Sequence, residues 1–164
     1  MQRPVAFAVA AVAFAVTGLT GCSSNPTLAS AGSVSSTAHP FAVGQTARER
    51  SSGTTVTVLG FDGDVTSELV PSSNGTLAAA DVKVCEGRAG GWSPDPDKFT
   101  LQVPGHDPLA QTLAAKLPAL DLMGLRPGAC TEGWVTFIVP QAVPAGPVSL
   151  LYRDQGSSAT WRVA

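Results

Sequence analysis

Beyond residue 40 the chain never runs far without a breaker. Short stretches of Val, Thr and aromatic residues are separated by Gly, Pro and Asp turns, in a sequence that holds 17 Gly and 13 Pro among its 164 residues. Helix-forming residues are not gathered into long runs of helical period, and strand patterns do not alternate with helical ones. Such a chain has to bury its apolar side chains between sheets. The expected fold class is therefore all-β, an antiparallel β-sandwich, with a small barrel as the alternative.

The individual strands can be placed. "GTTVTVLGF" (Gly53 to Phe61) is β-branched and ends near "DGD" (Asp62 to Asp64), a turn signal. "TLAAADVKVCEG" (Thr76 to Gly87) alternates, with Val82 and Val84 on one face and Lys83 on the other. In "KFTLQV" (Lys98 to Val103), Phe99, Leu101 and Val103 face inward before "PGHDP" stops the strand. "GWVTFIVP" (Gly133 to Pro140) is apolar on nearly both faces, as a central strand would be. "VSLLYRD" and "ATWRVA" read as a closing hairpin through "QGSS". "LAAKLPALDLMGL" (Leu113 to Leu125) is ambiguous: one helical turn and a loop would fit, since Pro118 interrupts any long helix.

Ahead of this domain lies a different kind of chain. Arg3 is followed by the uncharged apolar run Val5 to Val16, the length of a signal-peptide core rather than of a membrane span, and then by "LTGC" (Leu19 to Cys22). An aliphatic residue, two small residues and a cysteine in that order resemble the lipobox of bacterial lipoproteins. The resemblance implies residues 1–21 as a signal peptide, cleavage before Cys22, and a diacylglyceryl thioether on Cys22 that anchors the chain to the extracytoplasmic face of the cell membrane. Residues 22–40 contain almost nothing worth burying and read as a flexible tether, leaving 41–164 as one domain. Without Arg3 there are nine basic against twelve acidic residues, which argues against a nucleic-acid partner.

The order "FAVGQTARERSSGTTVTVLGF", "ADVKVCEG", "FTLQVPG", "LRPGACTEGWVTFIVP" and a last pair of strands is similar to an extracellular immunoglobulin-like domain of actinobacterial lipoproteins. That domain is often described as telokin-like and is related in fold to a secreted mycobacterial immunoprotective antigen. The resemblance covers Phe41 to Val163 and implies an immunoglobulin-like antiparallel β-sandwich on the outer face of the membrane; it brings no catalytic residues to carry over.

With Cys22 assigned to lipid, Cys85 and Cys130 remain as an even pair in an exported protein and are expected to bond. The "VCEG" and "PGAC" contexts are similar to those of the family. Alternation puts Cys85 on the Lys83 side, so the bridge is expected to staple a loop to the outside of a sheet.

Catalytic residues, a metal site and a cofactor are not expected. His106 in "PGHDP" lacks a nucleophile motif around it and reads as a turn residue. Zinc spacing is absent. "DGD" and "SPDPDK" could meet around calcium only without the usual terminal Glu. The best candidate for binding is the long loop "EGRAGGWSPDPDK", through Trp92, Asp95 and Asp97, whereas Trp134 and Trp161 lie on strand patterns and read as core. The expected function is thus that of a monomeric, non-enzymatic, lipid-anchored module that binds or displays a partner at the envelope, such as an envelope or host protein or a glycan. Carriage of a small apolar ligand and an accessory role beside an envelope enzyme are the alternatives.

Overall fold

The computed structural model describes residues 29–30, 39–49, 52–67, 75–87, 96–123, 125–140, 146–154 and 157–164. Among these, ten strands form two sheets packed face to face. One sheet runs β3 (Thr46–Arg48), β4 (Thr55–Val65), β5 (Thr76–Cys85), β8 (Cys130–Val139), every neighbouring pair antiparallel. The other runs β1 (Ala29–Ser30), β10 (Ser157–Arg162), β9 (Ser149–Asp154), β6 (Phe99–Gln102), β7 (Leu109–Ala110), with β2 (Phe41–Ala42) set parallel beside β10. The expected all-β, immunoglobulin-like sandwich is the architecture observed.

Alternation decides which side chains meet between the sheets. Val56, Val58, Val82, Val84 and Phe137 of the four-stranded sheet are fully buried, as are Phe99, Leu101, Leu150, Tyr152 and Trp161 of the six-stranded sheet. Each such side chain contributes roughly 1.5 to 3 kcal/mol of transfer free energy. Phe99 and Tyr152, directly opposite one another, bring their rings to 5.1 Å. Trp161 closes the core beside Phe41 at 5.4 Å, and its indole N–H donates to the Gln45 carbonyl at 2.9 Å.

The hairpin of β9 and β10 forms as its pattern predicts, Ser157 opposite Asp154 and Arg162 opposite Ser149. "DGD" does not end its strand. β4 runs through Asp62, Gly63 and Asp64 to Val65, and the extra residues are absorbed as register shifts against β5 between Val58 and Gly60 and between Asp62 and Val65. A turn signal can thus be spent on a bulge when the apolar residue beyond it, here Val65, has a place to pack.

β8 is not a central strand. It pairs with β5 on one side only, and its other edge is covered by an irregular segment that is neither helix nor regular strand. The Thr112 and Leu120 amides donate to the Thr136 and Trp134 carbonyls of β8 at 2.8 and 3.0 Å, and the Trp134 amide donates to the Pro118 carbonyl at 2.8 Å. The segment Gln111 to Met123, termed the strap below, therefore satisfies backbone groups of β8 that would otherwise form an open edge.

Candidate functional site

The strap and the outer face of the four-stranded sheet form the most built-up surface among the described residues. Strand alternation turns Asp62, Asp81, Lys83, Glu132 and Trp134 to this face, with Asp81 directly opposite Trp134 and Lys83 opposite Glu132. Trp134 accordingly is not a core residue. It is half-buried in a small second apolar cluster with Val65, Leu77, Ala79, Ala115 and Ile138.

Gly133 explains how the strap comes so close. A Cβ on Gly133 would lie 2.6 Å from the Ala119 carbonyl group and the Leu120 nitrogen, so the main chains touch only because no side chain intervenes. Lys116 then pins the strap from above. Its ammonium lies 3.8 Å from the centroid of the Trp134 ring and forms an ion pair with Asp62. The Ala115 amide donates to Thr136 Oγ1 at 3.2 Å.

The carboxylates of this face are pulled in opposite directions. The hydrogen bond from Lys116, joined by one from the Asp64 amide, holds Asp62 below the ordinary carboxylate range. Desolvation at the sheet surface, with Glu132 nearby, pushes Asp81 above it, against a smaller opposing pull from Lys116. Asp62 thus holds a latch, whereas Asp81 is a partly desolvated charge.

The strap leaves Leu113, Leu117 and Met123 in solvent, 80%, 71% and 84% exposed. Three large apolar side chains held out on a braced segment are unlike the scattered apolar exposure of an ordinary surface. Between strap and β8 lies an open hollow of about 220 Å³.

A second polar feature lies at one end of the sandwich. Glu49 is 6% exposed, and its carboxylate accepts hydrogen bonds from the Ser52 amide and from Ser157 Oγ at 3.3 Å. Glu86 is 7% exposed and uses its backbone to fix the turn before β8, donating to the Ala129 carbonyl and accepting from the Gly128 amide, both at 2.9 Å. That turn, Arg126 to Ala129, has Pro127 and then Gly128 at φ +81°, as a type II turn requires. One carboxylate oxygen of Glu86 has no hydrogen-bond partner, and nothing in the described structure accounts for it. Gly87 is compelled: a Cβ there would lie 1.8 Å from the Ser52 carbonyl oxygen.

Cys85 and Cys130 are bonded, 45 residues apart in sequence. The bridge lies on the outer face of the four-stranded sheet, as alternation predicts, but it joins two directly paired strands, β5 and β8, rather than a loop to a sheet. Cys22, Trp92 and Asp95 lie outside the described residues. Asp97 is exposed on the short 3₁₀ turn Pro96–Lys98 that leads into β6. His106 is half-exposed in the turn after β6, its amide donating to the Val103 carbonyl at 3.1 Å. Asp62 already faces the Lys116 ammonium, and among the described residues no three His, Cys, Asp or Glu side chains group as metal ligands.

The expectation from sequence missed the strap. Its signals were Gly133 in the middle of an apolar strand, which marks a close backbone approach, and an apolar segment broken by Pro118 that fits neither period.

These features define a disulfide-bridged, two-sheet β-sandwich. The same fold is found in MPT63, a secreted protein of Mycobacterium tuberculosis, with a TM-score of 0.57 at 15% identity over 76% of this chain and 98% of that one. It is also found in YcdA, a protein of Bacillus subtilis assigned as a lipoprotein, with a TM-score of 0.51 at 17% identity over 67% of this chain. The match spans 36% of the YcdA chain, about a third of it. No protein-family model matches the sequence, and no curated protein matches it.

Proposed function

We propose that this chain is a lipid-anchored, extracytoplasmic immunoglobulin-like module, non-enzymatic, that presents the strap to a protein partner at the cell envelope. The single observation that carries the binding surface is the outward display of Leu113, Leu117 and Met123 on a segment braced by Gly133, Trp134 and Lys116. Bare aliphatic side chains suit a protein partner better than a glycan, which is gripped by stacking on an exposed aromatic face; the face of Trp134 is already taken by Lys116. The "LTGC" sequence, a disulfide of the kind that persists in oxidising compartments, and the fold shared with a secreted protein support the extracytoplasmic assignment. The core between the sheets is filled by fully buried side chains, which favours display over carriage of an apolar ligand.

The test places a photo-crosslinker at Leu117, at Trp92 and, as a control, at the exposed Arg48 on β3, in the native envelope. An adduct enriched at Leu117 and abolished by L113S/M123S is the expected result. Equal labelling at Leu117 and Arg48 overturns the strap as the contact, and enrichment at Trp92 alone moves the contact to that loop. The anchor is tested separately by acyl labelling: Cys22→Ala loses the fatty acid if the anchor is at Cys22, and retains it if the assignment is wrong.

A further inference from the structure

The outer face of the six-stranded sheet differs in kind from the strap face. Register places Ser158 opposite Arg153 and Arg162 opposite Ser149, so both arginines emerge on the same side, about 13 Å apart along β10. The other outward positions of β10, β9 and β6 are Ser158, Thr160, Ser149, Leu151, Thr100 and Gln102, of which Leu151 is buried, and no carboxylate stands among them. Both arginines are exposed, and among the described residues neither forms an ion pair. The strap face carries Asp62, Asp81 and Glu132 against Lys83 and Lys116. The two exteriors of one sandwich thus have opposite charge bias.

The basic face is also where the N-terminal chain arrives. β1 lies against the outer edge of β10, Ala29 opposite Ser158 and Ser30 opposite Ser157, and β2 continues along the same edge beside Trp161 and Arg162. His39 and Arg162 share an open hollow of about 220 Å³ with Pro40, Phe41 and Ala42. Ala29 is paired with Ser158, so six residues of sequence separate Cys22 from the first strand of the sheet. The strap begins directly after β7, at the opposite edge of the same sheet.

From charge and from the place where the chain enters, we infer that the outer face of the six-stranded sheet is a docking surface for anionic lipid headgroups. Arg162, with His39 beside it, and Arg153 meet lipid phosphates, and the strap is thereby turned away from the membrane. The inference rests on the anchored reading of Cys22, but its test does not. Short attachment at one edge leaves the domain free to roll, and two unpaired arginines on one face and acids on the other bias that roll toward an anionic surface. Each arginine near such a surface favours contact roughly fivefold, less as salt screens it.

The experiment uses the chain from Cys22 to Ala164, in which Cys22 is the one thiol outside the disulfide, coupled through that thiol to a maleimide-headgroup lipid in vesicles. Coupling by chemistry makes the outcome independent of whether cells acylate Cys22, which the acyl-labelling experiment decides. The vesicles are phosphatidylcholine with or without phosphatidylglycerol, and the readout is the rate of phenylglyoxal modification of each arginine by mass spectrometry. On phosphatidylglycerol vesicles Arg153 and Arg162 are expected to react several-fold more slowly than Arg126 and Arg48, with the protection removed by salt. R153E is expected to weaken the protection of Arg162, and R162E that of Arg153. Equal rates at all four arginines, or protection that is the same on phosphatidylcholine alone, overturns the inference.

Discussion

The two outer faces of this sandwich share a core and little else. The face of the four-stranded sheet is built up by the disulfide, the Trp134 cluster, the Lys116 latch and a main-chain contact that tolerates no Cβ. The face of the six-stranded sheet has none of these devices: it carries half-exposed Ser and Thr, a buried Leu151, and the exposed Gln102, Arg153 and Arg162. The difference teaches where stability and where surface chemistry are concentrated. Substitutions on the first face should be felt as structure, and substitutions on the second only as changed interaction with a surface.

The largest effect expected is from removing the bridge. C85S/C130S should lower unfolding free energy by about 4 kcal/mol on loop entropy, the closed loop being 45 residues, and denaturant titration would measure it. A loss below about 1 kcal/mol would mean that the paired strands β5 and β8 already hold that loop closed in the unfolded ensemble. Gly133→Ala comes next. The new methyl meets main chain of the strap, and overpacking of this kind costs about 1 to 3 kcal/mol, with hydrogen exchange expected to rise at Leu120 and Thr112 rather than in the β9–β10 hairpin. The smallest effect on this face is from Lys116→Met, which removes a partly exposed ion pair and a cation–π contact worth together about 1 kcal/mol. R153E and R162E, by contrast, should leave unfolding within about 0.5 kcal/mol of the parent, which makes them clean probes of the other face.

Acid should act on the latch in a definite direction. Asp62 has a folded pKa below its unfolded value, so the stability it contributes is fully present above about pH 3.9 and is lost as pH falls through the lower folded value. Asp81 has a raised folded pKa, so its contribution has the opposite sign: it is present in acid and lost as pH rises through the raised value. Asp81→Asn should therefore flatten stability against pH just above the ordinary carboxylate range, whereas Asp62→Asn should remove the acid-induced loosening of the strap seen by exchange at Leu120. If both variants keep the parent profile, the latch does not govern the strap.

Much of the fold could be read directly because it follows from period two. Val82 and Val84 point inward with Lys83 outward, Phe99 and Leu101 point inward, and Cys85 falls on the Lys83 side, all as alternation demands. Pro127 and Gly128 announce the turn they make. What failed did so where position in a sheet, rather than pattern, decides. "GWVTFIV" is apolar on both sides because the strap covers its outer face and edge, which one strand cannot distinguish from a central place between neighbours. Trp134 is read as core for the same reason.

By itself the sequence determined the all-β class, the inward sets of β5 and β6, and the pairing of Cys85 with Cys130, because these depend on local alternation and on counting. Only the tertiary structure decided that β8 is an edge, that the strap, 10 to 22 residues upstream of Gly133, folds back to close it, and that Arg153 and Arg162 share one face. Those outcomes depend on which strands become neighbours. Neighbourhood is set by the summed packing of both sheets, and no single stretch of sequence carries that sum.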